Sequence, residues 1–186
     1  MTARLTIEPQ LFATLIAGLT ERGRGNRESG AFLLTDRSHP SGQLPQPVTA
    51  IAFYDDLDPL CLTGAITFSA AGYTALLERC RRDGLRVVGD IHTHPHHHVR
   101  QSPIDAAHPM VALDGHVALI APHYGAGVTG VAQLGVHLRV DGRWASFYGQ
   151  RAEHFFHMPR PAVGRAPWWR RLLSHLRPRR RNQEKR

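Results

Sequence analysis

The sequence predicts one mixed α/β domain of the α+β kind, with helices set before and after a strand pair. Three observations predict it. A chain of 186 residues suits one domain and leaves little room for a second. Its composition, 42% hydrophobic and 20% charged, is that of a globular chain able to bury a core. Helical and strand patterns then alternate from residue 7 to residue 148.

Residues 7–22 read as an amphipathic helix, with Leu11, Leu15 and Leu19 on one face. Residues 22–27 form a Gly- and Arg-rich turn. Residues 28–34 (ESGAFLL) read as a strand, and the Pro- and Gly-rich stretch 36–47 as a loop. Residues 48–54 (VTAIAFY) give a second strand, and Asp55, Asp56 and Asp58 a solvated acidic loop. Ser69 has the chemistry of a helix N-cap. The helix that follows puts Tyr73, Leu76, Leu77 and Cys80 on one face and stops at Gly84. Residues 86–92 (RVVGDIH) are a strand. Ser102 opens a short helix through Ala107, and further strands are expected over 116–122, 130–140 and 143–148. No internal repeat is visible.

Cys61 and Cys80 are the only cysteines, too few and too far apart for a disulfide framework, so a reducing compartment fits. The early apolar run at Leu11–Leu19 is broken by Thr14 and Gly18 and has no basic leader, unlike a signal peptide. No stretch is long enough to span a membrane. A cytoplasmic protein is the expectation.

Charge is unevenly placed. Of 23 basic and 15 acidic residues, ten basic and one acidic fall in 160–186. The rest of the chain therefore holds thirteen and fourteen, a net −1. The division expected is a domain over 1–158 and a basic tail over 159–186. A near-neutral body argues against nucleic acid as a partner, whatever the overall charge suggests. Pro167 suits the first turn of a short helix, with Trp168, Trp169, Leu172, Leu173 and Leu176 on one face and Arg170, Arg171 and Arg177 elsewhere. Such a helix can lie on an anionic membrane surface, dock on an acidic partner or pack back on the domain.

The chemistry concentrates in one segment: His92-Thr93-His94-Pro95, then Ser102, then Asp105. Residues two apart on a strand face the same way, so the imidazoles of His92 and His94 can converge on one ion. One helical turn can bring Asp105 back to them. Two histidines and one carboxylate leave a fourth position open for water, as catalytic zinc sites do. With 13 histidines, a His-x-His pair is expected about once by chance. The added Pro, Ser and Asp at fixed offsets reduce the chance to about one in ten thousand.

This set resembles the JAMM motif of the JAB/MPN zinc metallopeptidases: an upstream Glu, His-x-His, then Ser-x-x-Asp. Glu28, heading a Ser-Gly-apolar segment, stands where that family carries its catalytic Glu. The strings LTGAITFS, VVGDIHTHP, SPIDAAHP and GHVALIAP look most like bacterial JAB proteins encoded beside a ubiquitin-like protein and E1- and E2-like enzymes. The resemblance implies an MPN/JAB fold, a mixed curved β-sheet flanked by a few helices. It implies Zn²⁺ on His92, His94 and Asp105, Glu28 as general base, and Ser102 as oxyanion donor. It also implies a substrate that is a ubiquitin-like protein or its conjugates, cut after a Gly-rich tail.

Other readings stay open. A JAB peptidase could process a sulfur-carrier protein or a free peptide. A DNA-repair-type JAB protein is disfavoured by the neutral body, and a metal-free scaffold by the intact motif. His96, His97 and His98 are either a second metal site or a solvated rim. His108, His116, His123 and His137 have no partner at ligand spacing and read as surface or satisfied-core residues.

Deleting residues 160–186 is expected to leave turnover of a short peptide unchanged. It should weaken association with anionic liposomes or an acidic partner in a salt-dependent way, measured by cosedimentation. A truncated protein that unfolds would show the tail to be part of the core.

Overall fold

The computed structural model describes residues 3–62 and 66–159. The basic tail, with its expected helix, lies outside them. The described chain is a mixed α/β structure with two sheets and five α-helices. The strands are β1 (Leu5–Ile7), β2 (Gly30–Asp36), β3 (Gln46–Val48), β4 (Ala50–Phe53), β5 (Leu85–Thr93), β6 (Val117–Ala121), β7 (Gly135–Val140), β8 (Arg143–Tyr148) and β9 (Phe156–His157). The helices are α1 (Pro9–Gly23), α2 (Tyr54–Leu57), α3 (Ala70–Arg82), α4 (Pro103–Ala107) and α5 (Gln150–Phe155).

The main sheet runs β4-β2-β5-β6-β7-β8. Only β5 and β6 pair in parallel; the other neighbours are antiparallel. A second sheet, β3-β1-β9, is wholly parallel. β2 is buried on both faces because both faces of the sheet are covered. Ala31 and Leu33 join a core under α1 with Leu15, Leu19, Ile91 and Leu119. Phe32 and Leu34 join a second core under α3 with Tyr54, Leu76 and Cys80. Both cysteines are buried there and unpaired.

Local chemistry explains most element ends. Pro9 starts α1, where its missing N–H costs nothing, and the left-handed Arg24 closes it. Ser69 caps α3 by accepting from the Gly72 N–H, and Gly84, with φ +66, turns the chain into β5. Four sequence expectations need correction. Leu77 is 62% exposed and does not share the buried face of α3. The 55–58 segment is a helical turn and not a free loop: Arg22 bonds Asp55 at 2.7 Å and Asp56 at 3.0 Å, and Asp58 accepts from the Ser69 N–H. The strand expected from Glu28 begins at Gly30. The second sheet was not anticipated, because its strands are two or three residues long and pair only with distant segments.

Among the described residues no helix is long and apolar enough to cross a membrane. One buried histidine ties the far end of the main sheet to the loop after β5. His137 on β7 is fully buried, with Nδ1 2.8 Å from Ser146 Oγ on β8 and Nε2 3.0 Å from the Val99 carbonyl. A carbonyl only accepts, so Nε2 carries the proton and Nδ1 accepts from the serine. Gly135 makes room for this contact, since a Cβ there would stand 1.9 Å from the Val99 oxygen.

Burial pushes the His137 pKa down from 6.5 to about 4, with the Val99 bond opposing it. The unfolded chain therefore binds this proton between about pH 6.5 and 4, and the folded chain refuses it. Stability from this group is complete above pH 6.5 and is lost as pH falls towards 4. The expected loss is on the order of 3 kcal/mol. Urea unfolding across that range should show it, and His137→Gln should flatten the dependence. An unchanged slope in the variant would contradict this account.

Candidate metal centre

The site is assembled at one end of β5. Beyond a bulge, where Val88 has no partner on β2, the strand alternates regularly. Ile91 goes to the α1 core and Thr93 to a buried contact with Ser29, while Asp90 and His92 face the α3 side. His94 follows the last strand residue and is still held in the ladder, its N–H bonding the Ala121 carbonyl at 2.8 Å. α4 supplies the third group. Ser102 accepts from the Asp105 N–H, and Asp105 accepts from the Ser102 N–H at 2.7 Å, a reciprocal capping box.

His92 Nε2 and His94 Nε2 lie 3.1 Å apart. Asp105 places Oδ2 3.3 Å from His94 Nε2 and Oδ1 3.7 Å from His92 Nε2. Ligands bound to zinc at about 2.0–2.2 Å stand roughly 3.3–3.6 Å apart at tetrahedral angles. The observed spacings fit that set. His94 Nδ1 lies 3.0 Å from the His98 carbonyl, which makes it the protonated nitrogen and leaves Nε2 free to ligate. Among the described residues this is the one group of three or more ligand-type side chains close enough to share an ion. His96, His97 and His98 add no second such group and are exposed.

The charges agree with a cation site. Burial alone would raise the Asp105 carboxyl, but the facing imidazoles hold it well below the usual carboxylate range. Burial likewise opposes protonation of His94, and Asp105 overcomes it, raising the imidazole's pKa. A proton here does the work that a metal would do, so metal must displace it.

Glu28 lines the same cleft. It is fixed by its neighbour. Ser29 donates its hydroxyl to the Leu19 carbonyl at 2.8 Å and its N–H to Thr93 Oγ1 at 2.9 Å, and its carbonyl accepts from the Thr93 N–H. Gly30 is required because the Tyr54 ring lies where a Cβ would be, 2.1 Å away. Burial raises the Glu28 pKa above its ordinary value, with His92 and His94 opposing.

A cleft of about 500 Å³ opens over these groups, with Ile66, Ile104, Met110 and Trp144 as its apolar walls. Sequence reasoning missed two features of its floor. Asp90 and His116 form a buried pair at 2.5 Å, and Tyr54 donates to the other Asp90 oxygen at 3.1 Å. The signal for Asp90 was its spacing, two before His92. His116 and His137 are satisfied-core histidines, as expected, whereas His108 and His123 are exposed.

No family model matches the chain. Similar folds occur among solved structures. A protein from Desulfitobacterium hafniense aligns over 84% of this chain and 94% of its own, at 15% identity and TM-score 0.58. One from Salinibacter ruber aligns over 86% and 93%, at 20% identity and TM-score 0.54. A JAB1/MPN domain protein from Archaeoglobus fulgidus aligns over 77% and 95%, at 14% identity and TM-score 0.44, too loose a likeness to build on. The first two show a shared fold.

Protein dialysed against zinc is expected to retain one ion per chain by metal analysis. His92→Ala and Asp105→Ala should each lose it, and loading should fall on acidification as protons reclaim the ligands. Full stoichiometry in the double variant would rule out this ligand set.

Proposed function

We propose that this chain is a zinc-dependent peptidase of the JAB/MPN (JAMM) type, acting on a ubiquitin-like protein or its conjugates. The observation that carries the reading is the convergence of His92, His94 and Asp105 with Glu28 across one cleft. The order Glu28, His-x-His, Ser102-x-x-Asp105 in the sequence supports the same reading.

A zinc ion held there would polarise the scissile carbonyl and lower the pKa of a bound water from about 15.7 towards 7. Glu28 takes one proton from the attacking water and returns it to the departing amine as the C–N bond breaks. Its raised pKa suits both halves of that task. Ser102 has two tasks in this reading. Its oxygen accepts the Asp105 N–H at 3.1 Å, which leaves its own O–H free to donate to the developing oxyanion.

The substrate class rests on the sequence strings that resemble bacterial conjugation-operon proteins. On the same basis E1- and E2-like enzymes are partners in the reading, and the cytoplasm is its place. A sulfur-carrier protein or free peptide would suit the same machinery, and the genes adjacent to this one distinguish the cases.

Glu28→Gln is expected to keep the fold and the zinc and to abolish cleavage of an isopeptide-linked Gly-Gly substrate. Ser102→Ala should lower kcat by about 10²- to 10³-fold. Full turnover by zinc-loaded Glu28→Gln would move the base to another residue and sink the assignment.

A further inference from the structure

We propose that Arg100 reads a carboxylate on the substrate, so that the cleft selects an acidic peptide segment beside the scissile bond. The proposal rests on the peptidase reading for its substrate but not for its chemistry. Its first ground is an inventory of charges in the cleft. Three acids line it, and two of them are paired. Asp90 is held by His116 and Tyr54. Asp105 faces both histidines and the Ser102 N–H. Arg100 is the one Lys or Arg on the lining, and no carboxylate pairs with it among the described residues.

The second ground is that the backbone carrying Arg100 is fixed. One residue before it, the Val99 carbonyl is latched to buried His137 at 3.0 Å, over a position where Gly135 alone permits the approach. Two residues before it, the His98 carbonyl accepts from His94. Two residues after it, Ser102 is locked in the α4 capping box. The Arg100 guanidinium carbon lies over the Tyr148 ring, 6.0 Å from its centroid, at the outer range of a cation–π contact. A side chain mounted on a backbone held this way loses less entropy on binding.

The third ground is the chemistry of the group. A guanidinium is always charged and presents parallel N–H donors that match a carboxylate. Arg100 is exposed at the mouth of the cleft, so the fork geometry and not burial carries the pair. Arg100 is two residues from Ser102, and an extended chain advances about 3.3–3.6 Å per residue. The carboxylate read by Arg100 therefore belongs within about two residues of the cleaved bond.

The test uses isopeptide-linked peptides, a Gly-Gly C-terminus joined to a lysine side chain. Glu, Gln or Lys is placed in turn at the two nearest positions of each arm. The lysine-bearing arm ends as a free acid or an amide. Wild-type protein is expected to favour one acidic form by about tenfold in kcat/KM over its neutral counterpart, mostly through KM. Arg100→Gln should erase the ratio, and Arg100→Glu should turn it towards lysine. A gain confined to the acid–amide pair identifies a terminal carboxylate, and a gain at one Glu position identifies an acidic side chain. Fluorescence anisotropy of the same peptides on zinc-loaded Glu28→Gln gives a readout without turnover. Binding that depends on Arg100 without cleavage by wild type would defeat the peptidase reading and keep this one. Cleavage with no acidic preference, or a preference that survives in Arg100→Gln, would overturn the proposal. So would the absence of both cleavage and binding.

Discussion

Two imidazole nitrogens 3.1 Å apart must share a proton or a cation, and the fold holds them at that distance. The constraint that makes this possible is the two-residue alternation of β5. It sends His92 towards the α3 face and Thr93 towards a contact with buried Ser29. Because Ser29 precedes β2 and is bonded to α1 at Leu19, the pairing of Thr93 also places Glu28. One strand end thus sets both the ligand pair and the acid opposite it. A slip of one residue in register would turn both to the wrong face. The bulge at Val88 confines the irregularity to the far half of the strand.

The site carries its charges in linked pairs. Asp105 satisfies two imidazoles and caps α4 with the same carboxylate. Asp90 lies below, balanced by His116 and Tyr54. Leaving any of these unpaired in a half-buried cleft would cost several kcal/mol. This explains why Tyr54, the first residue of α2, is fully buried and why Gly30 carries no side chain beneath it. The polar floor and the α3 core are one packing problem: Phe32 and Phe68 pack on Tyr54, and Tyr73 packs on both of them.

What the sequence made legible was what depends on near neighbours. The i, i+2 histidines, the Ser102 cap, the Ser69 cap and the stop at Gly84 all follow from interactions within four residues, and the structure shows each one. Glu28 was legible only through motif order, since neither helix nor strand pattern singles it out. What stayed hidden was made by distant pairing. β1, β3 and β9 are too short to have a pattern of their own. The Asp90–His116 and His137–Val99 contacts span 26 and 38 residues. Leu77 failed for a different reason: it is apolar and helical, but it lies off the face that buries Leu76 and Cys80 and is left to solvent.

A site residue that stands past the end of a strand is exposed to the mobility of the loop it begins. His94 is in that position, and the fold answers with contacts from three directions. β6 takes its N–H, the Tyr124 N–H takes its carbonyl, and the His98 carbonyl takes its ring proton. The last of these is only as firm as the loop that supplies it. That loop is in turn tied by Val99 to His137, itself tied to Ser146. The β7–β8 hairpin, which contributes no ligand, therefore fixes the tautomer and aim of one. The same latch holds the backbone one residue before Arg100, which stands on the cleft lining. A single buried histidine thus steadies both the ring of His94 and the segment that carries Arg100.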